Sequence, residues 1–127
     1  MKEPRAIQAA ADGVPAQMFL DAAPQAIMLT DTDIDRGGPT ITYVNAAFER
    51  MTGWPAADIL GKTPRVLQGP ETDLGIFDDL RARLATGERW YGETVNYRRD
   101  GQSFIMAWSI TPIHDQMGSA LAYMAVQ

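Results

Sequence analysis

The dipeptide Asp100-Gly101 lies between two strand-like runs of period two, Trp90 to Arg98 and Phe104 to Ile110. Asp-Gly takes the backbone conformations of a tight hairpin turn at low cost. The alternation marks the two runs as strands joined by that turn. A long antiparallel hairpin is therefore part of any fold open to this chain.

The other segments extend this hairpin into a sheet with a helical layer. Ala26-Ile27-Met28-Leu29-Thr30 reads as a strand, and the β-branched, aromatic stretch Thr40-Ile41-Thr42-Tyr43-Val44 reads as its hairpin partner. A polar loop around Gly37-Gly38-Pro39 joins them. A loop through Gly118 leads to a last strand, Leu121 to Val126, followed by Gln127.

Between the two groups of strands the apolar period is helical. Asn45 is a good N-cap for Ala46 to Met51, and Gly53 closes that helix. Pro55 suits the first turn of another, with Ile59 and Leu60 facing inward before Gly61. Thr72 or Asp73 can cap a third, in which Ile76, Phe77, Leu80 and Leu84 recur up to Gly87. Residues 4 to 12 suit an exposed helix. Pro15 opens a second one through Gln17-Met18-Phe19-Leu20, its apolar stripe set against the domain. The fold class is α+β: a five-stranded antiparallel sheet with short helices on one face. Residues 1–21 form an N-terminal helical cap and residues 22–127 the main domain.

The chain has 127 residues, 46% of them hydrophobic, which suits one core. Its net charge of −5 argues against nucleic-acid or anionic-membrane surfaces. Arg98 and Arg99 beside Asp100 read as a solvated hairpin end. Cysteine is absent, which excludes disulfides, thiolate catalysis and cysteine metal sites. The single histidine, His114 beside Asp115, cannot build a metal cluster and reads as a turn residue. No Ser/His/Asp set or phosphate-cradling glycine loop points to catalysis. No apolar run approaches the ~20 residues of a membrane span, and the N-terminal stretch lacks the apolar block of a secretory signal. A cytoplasmic location is expected.

Three stretches carry a family resemblance. Tyr43-Val44-Asn45-Ala46-Ala47-Phe48 followed by Thr52-Gly53 is similar to the helix entry of PAS domains. Gly61, Arg65, Leu67, Gln68 and Gly69-Pro70-Glu71-Thr72-Asp73 resemble the signature of the light-oxygen-voltage (LOV) branch. Asn96-Tyr97-Arg98-Arg99-Asp100-Gly101 with Phe104, Pro112-Ile113 and Val126-Gln127 is similar to the LOV sheet. The resemblance covers roughly residues 22 to 127, and it implies a sensor domain binding a flavin, FMN or else FAD.

By that resemblance Arg65 and Arg81 grip the flavin phosphate, for which a guanidinium is well shaped. Gln68 meets the ribityl chain and Thr30 lies near the ring. Asn96 faces the ring's pyrimidine edge, and Gln127 reports the state of the ring by changing hydrogen bonds. Leu67, Phe77, Leu80, Met106, Trp108 and Tyr123 complete the expected pocket. Read without the family, the arginines are solvated charges, Gln68 and Asn96 equally face water, and methionine and tryptophan at period two are core.

Four positions depart from the pattern. Pro64 stands where the family has the cysteine that bonds to the flavin under blue light, so that adduct is impossible here. Thr63, Met106 and the region of Gly38 replace asparagines. The resemblance thus implies a non-covalent flavin sensor of light or redox state. The alternative is a dimerisation or sensor module whose cavity holds another small ligand or none. Expected partners are a second copy, through the sheet and N-terminal helix, and a C-terminal effector such as a histidine kinase or a cyclic-dinucleotide enzyme.

Overall fold

The computed structural model describes residues 15–34 and 37–127. The expected helix over residues 4 to 12 lies outside them. α1 (Ala16–Ala22) is followed by β1 (Ile27–Thr30) and β2 (Ile41–Val44), which pair antiparallel with Met28 opposite Val44. Then come α2 (Ala46–Thr52), α3 (Ala56–Ile59), a 3₁₀ turn (Pro64–Leu67) and α4 (Ile76–Ala85). β3 (Trp90–Tyr97), β4 (Ser103–His114) and β5 (Ala120–Val126) complete one sheet in the order β2-β1-β5-β4-β3. Every neighbouring pair is antiparallel. This is the α+β arrangement expected from the residue pattern.

Alternation decides which side chains meet the helices. On β3, Trp90, Thr94 and Asn96 are buried while Tyr91 and Glu93 are exposed. On β4, Met106 and Trp108 are buried between exposed Ile105 and Ala107. Phe48, Ile41, Ile59 and Leu67 are the largest fully buried apolar side chains. Each such burial is worth ~1.5–3 kcal/mol. Trp90 and Trp108 meet edge to face, ring centres 5.1 Å apart, with Phe77 at 6.5 Å and 6.3 Å.

Asn45 joins three elements. Its Oδ1 accepts from Phe48 N (3.0 Å) as the N-cap of α2 and from Ile27 N (2.9 Å) at the start of β1. Its Nδ2 donates to the Leu20 and Gln25 carbonyls, both at 2.9 Å. The amide is fully buried and uses both of its ends.

Several local expectations are corrected. Met18 and Phe19 on α1 are 58% and 49% exposed, so α1 does not lay its apolar stripe on the domain. Leu60 is exposed because α3 ends at Ile59, whose side chain alone turns inward. α4 starts at Ile76 after Gly75, with no side-chain cap. β4 runs on to His114 rather than ending at Ile110, since β5 supplies it with a second partner through that stretch.

Arg98 and Arg99 are not a free hairpin end. Arg98 lies over the Phe104 ring and its guanidinium donates to the Met51 carbonyl. Arg99 lies over Trp54 and pairs with Asp58 at 2.6 Å. The hairpin tip is thus bound to the α2–α3 corner.

Candidate functional site

Between the inner face of the sheet and the layer of the 3₁₀ turn and α4 lies a cavity of about 300 Å³. That is the lower end of the range for small-molecule sites. Its sheet wall carries Met28 and Thr30 of β1, Asn96 of β3, Met106, Trp108 and Ile110 of β4, and Tyr123 and Ala125 of β5. The opposite wall carries Pro64, Leu67 and Gln68 from the turn, and Phe77, Leu80 and Leu84 from α4. Ile34, Gly38 and Pro39 reach it from the β1–β2 loop. Arg65, Arg81 and Leu74 also line it and are solvent-exposed, which sets them at the mouth.

Local sequence explains how the 3₁₀ wall is held. Pro64 occupies its first turn, where a missing N–H costs nothing. Thr63 Oγ1 accepts from Arg65 N at 3.2 Å. The following segment is strapped onto β3 by hydrogen bonds. Thr72 Oγ1 accepts from Gly69 N (3.0 Å) and donates to the Val95 carbonyl (2.6 Å). Asp73 N donates to Thr94 Oγ1 (2.7 Å), and Glu71 N to the Tyr97 hydroxyl (3.0 Å). The Thr72 side chain is committed to this strap, and Asp73 Oδ1 accepts from Gly75 N (3.0 Å) ahead of the helix, so neither caps α4.

The polar groups of the cavity fall at two ends. At the mouth, the Arg65 guanidinium makes no ion pair among the described residues, and Arg81 lies 3.7 Å from Asp78. At the inner end Asn96 is 3% exposed. Its Nδ2 donates to Met106 Sδ at 3.6 Å, and its Oδ1 is buried without a hydrogen-bond partner. A buried unpaired acceptor costs about 1–3 kcal/mol, so it points to a missing donor. Thr30 Oγ1 spends its proton on the Asp31 carbonyl, at 2.8 Å. The Asp31 carboxylate accepts from Thr40 N (2.9 Å) and Asp33 N (3.1 Å). The Thr40 contact is the main reason its pKa is lowered; partial burial opposes it.

Eleven of the twelve expected site residues line this one cavity: Thr30, Arg65, Leu67, Gln68, Phe77, Leu80, Arg81, Asn96, Met106, Trp108 and Tyr123. Gln127 does not. Its backbone N–H donates to the Ala26 carbonyl, and its side-chain Nε2 and Oε1 are buried without partners. The Val126–Ser109 pairing brings it beside Trp108 in the register, off the cavity wall. Ile34, Pro39, Leu74, Leu84 and Ile110 line the cavity without having been assigned to it. Leu84 continues the helical spacing of Phe77 and Leu80, and Ile110 the alternation of Met106 and Trp108, so both were readable. Loop residues Ile34 and Pro39 carry no periodic signal.

Among the described residues no group of three or more His, Cys, Asp or Glu side chains could hold a metal. No helix among them is long and apolar enough to cross a membrane.

Comparison with known proteins agrees with this geometry. The family profile of the PAS domain matches residues 24–127. The chain is 37% identical over 87 residues to phototropin-1A of Oryza sativa subsp. japonica, spanning 68% of this chain and 9% of that protein. It is 33% identical over 99 residues to blue-light-activated histidine kinase 2 of Erythrobacter litoralis (strain HTCC2594), spanning 78% and 29%. An RNA-binding light-oxygen-voltage receptor superposes with a TM-score of 0.80 at 27% identity, over 98% of this chain and 34% of that one. The chain therefore spans less than a third of these curated relatives.

Proposed function

This chain belongs to the PAS domain family, and from that membership we propose that its cavity binds a flavin without a covalent bond. FMN is the first candidate and FAD the second. The observation that carries this reading is the polarity of the cavity. An unpaired Asn96 Oδ1 sits at the inner end, apolar walls lie between, and Arg65 and Arg81 stand at the mouth. A flat imide-edged ring with a phosphate tail has that same order of chemistry. The likeness to a light-oxygen-voltage receptor supports the same choice.

A bound flavin would supply blue-light absorption and electron acceptance. Residues of the chain supply the rest. Pro64 offers no nucleophile at the cavity wall, so no thiol adduct competes with electron transfer. Trp108 and Tyr123 line the cavity and are the assigned electron donors. Gln127, with both amide atoms unpaired beside Trp108, is the assigned reporter, and it must swing from its place off the cavity wall to take new hydrogen bonds when the ring changes protonation. Its strand β5 lies at the centre of the sheet, so its reorientation reaches β1 and β4.

The role is sensory rather than catalytic. Residues 22–127 serve as the sensor unit, in a cytoplasmic protein. A second copy is assigned to the outer face of the sheet. Tyr91 and Ile105 are 65% and 73% exposed there, and Met18 and Phe19 of α1 are exposed as well. The greater length of the relatives supports a C-terminal effector, a histidine kinase or a cyclic-dinucleotide enzyme.

The test is the absorption spectrum of protein purified with added FMN, before and after blue light. The expected outcome is a yellow protein that bleaches with a reductant or with light and forms no adduct species. Saturating FMN should also stabilise it by about 2.7 kcal/mol at a hundredfold excess over Kd. A colourless protein whose melting temperature ignores FMN overturns the reading in favour of a different or empty cavity.

A further inference from the structure

Behind Trp108 on the cavity wall stands a second indole that the cavity does not touch. Trp90 is 3% exposed and lines no part of the cavity. Its ring nevertheless meets the Trp108 ring edge to face, with centres 5.1 Å apart and planes at 70°. One position in the sequence makes room for this contact. Gly92 is the cross-strand partner of Trp108 and lies two residues along β3 from Trp90, on the same face. A β-carbon at Gly92 would stand 2.2 Å from Cζ2 of Trp90, so any other residue there would displace the ring. Phe77 approaches both indoles, at 6.5 Å and 6.3 Å. A benzene ring is far harder to oxidise than an indole, so Phe77 packs the pair and carries no electron.

We propose that Trp90 is the second station of an electron relay that begins at Trp108. The relay rests on the flavin reading and adds to it a residue outside the cavity. Trp108 gives one electron to the light-excited ring, and Trp90 then gives one electron to Trp108. Trp108 is restored and the vacancy passes to Trp90; no bond forms or breaks, and both indole protons stay in place. Two touching indoles oxidise at nearly equal cost, so the vacancy moves between them. While it rests on Trp90, the Trp108 ring separates it from the cavity, and the electron's return is slowed. That return to Trp90 closes the balance with no added reductant.

The experiment is flash spectroscopy of the FMN-loaded protein, following tryptophan-radical absorbance without added reductant, beside near-UV circular dichroism of the FMN-free protein. The wild-type radical should decay slowly. In Trp90→Phe the slow part should be lost while the prompt Trp108 signal stays. Without FMN, the wild type should show the exciton couplet of two touching indoles, and Trp90→Phe should lose it. Gly92→Ala keeps both tryptophans but displaces the Trp90 ring, so it should shorten the decay and weaken the couplet. Thermal melts check that both variants are folded. A Trp90→Phe decay equal to that of the wild type overturns the relay and leaves the flavin reading standing. A Trp90→Phe protein with no prompt signal overturns the order of the two stations, and a wild type without the couplet overturns their contact. If the wild type holds no FMN, the flavin reading fails and takes the relay with it.

Discussion

The ring of Tyr97 covers the backbone of Gly69 so closely that a β-carbon there would stand 2.3 Å from Cε1. The same Tyr97 accepts from Glu71 N through its hydroxyl, so ring and hydroxyl together press the strap onto β3. Gly69→Ala must therefore push an aromatic side chain, and with it the segment holding Gln68 and Arg65. The expected loss of stability is about 1–3 kcal/mol, read as a lower urea midpoint with unchanged slope. A midpoint within experimental error of the wild type would show that the strap gives way freely.

Asn45→Ala should be more damaging. It removes the cap of α2 and strands the Ile27 amide, while the Leu20 and Gln25 carbonyls lose their donor. A cap is worth ~1 kcal/mol and each buried unpaired group 1–3, so the loss should reach at least about 3 kcal/mol. Denaturant unfolding measures it, and a loss below about 1 kcal/mol would mean that water replaces the amide.

Arg65→Ala tests the phosphate end. FMN affinity should fall by about 1.5–3 kcal/mol, the value of a charge-assisted hydrogen bond, while riboflavin, which has no phosphate, should bind unchanged. Equal losses for both ligands would assign Arg65 to packing instead.

Pro64→Cys places a thiol at the cavity wall. The backbone should accept it, because the first position of the 3₁₀ turn needs no N–H partner. With FMN bound, blue light should then form an adduct species that reverts in the dark, a species that the photoreduced wild type does not form. A variant that holds FMN but keeps a steady spectrum under light would mean that residue 64 stands out of reach of the ring.

Tyr43 predicts an alkaline limit. Burial, aided by the hydrogen bond to Asp21 Oδ1 (2.6 Å) and its negative charge, pushes the phenol up to about 12 from its ordinary 10.0. The neutral phenol is favoured in the folded state. Its contribution is therefore complete below pH 10 and is lost as pH rises from 10 to about 12. Stability should fall through that window, and Tyr43→Phe should flatten the fall. Asp31 acts oppositely: its lowered pKa gives a contribution present above its ordinary 3.8 and lost as pH falls below it. Equilibrium unfolding across both pH ranges measures the two slopes.

Local signals carried far in this chain because they depend on few neighbours. Asp100-Gly101 and the alternation around it specify β3, β4 and which of their residues face inward, since a strand turns alternate side chains to opposite sides. Asn45 and Gly53 bound α2 through contacts within one turn. That these residues share a pocket came from the family resemblance, and it left out Leu84 and Ile110. What the local pattern left open required a partner distant in sequence. Leu60 needed the packing of α3, and Thr72 needed β3, 23 residues away. Arg98 needed Met51, 47 residues away. Gln127 follows the parity of Ala125 yet lies off the cavity wall, because pairing of β5 with both β1 and β4 sets where its end falls. Residue type and period determined the elements and their inner faces. Tertiary structure alone decided which polar groups find a partner, because hydrogen-bond satisfaction is a property of what folding brings within about 3 Å. The unpaired Oδ1 of Asn96 is the clearest product of that decision.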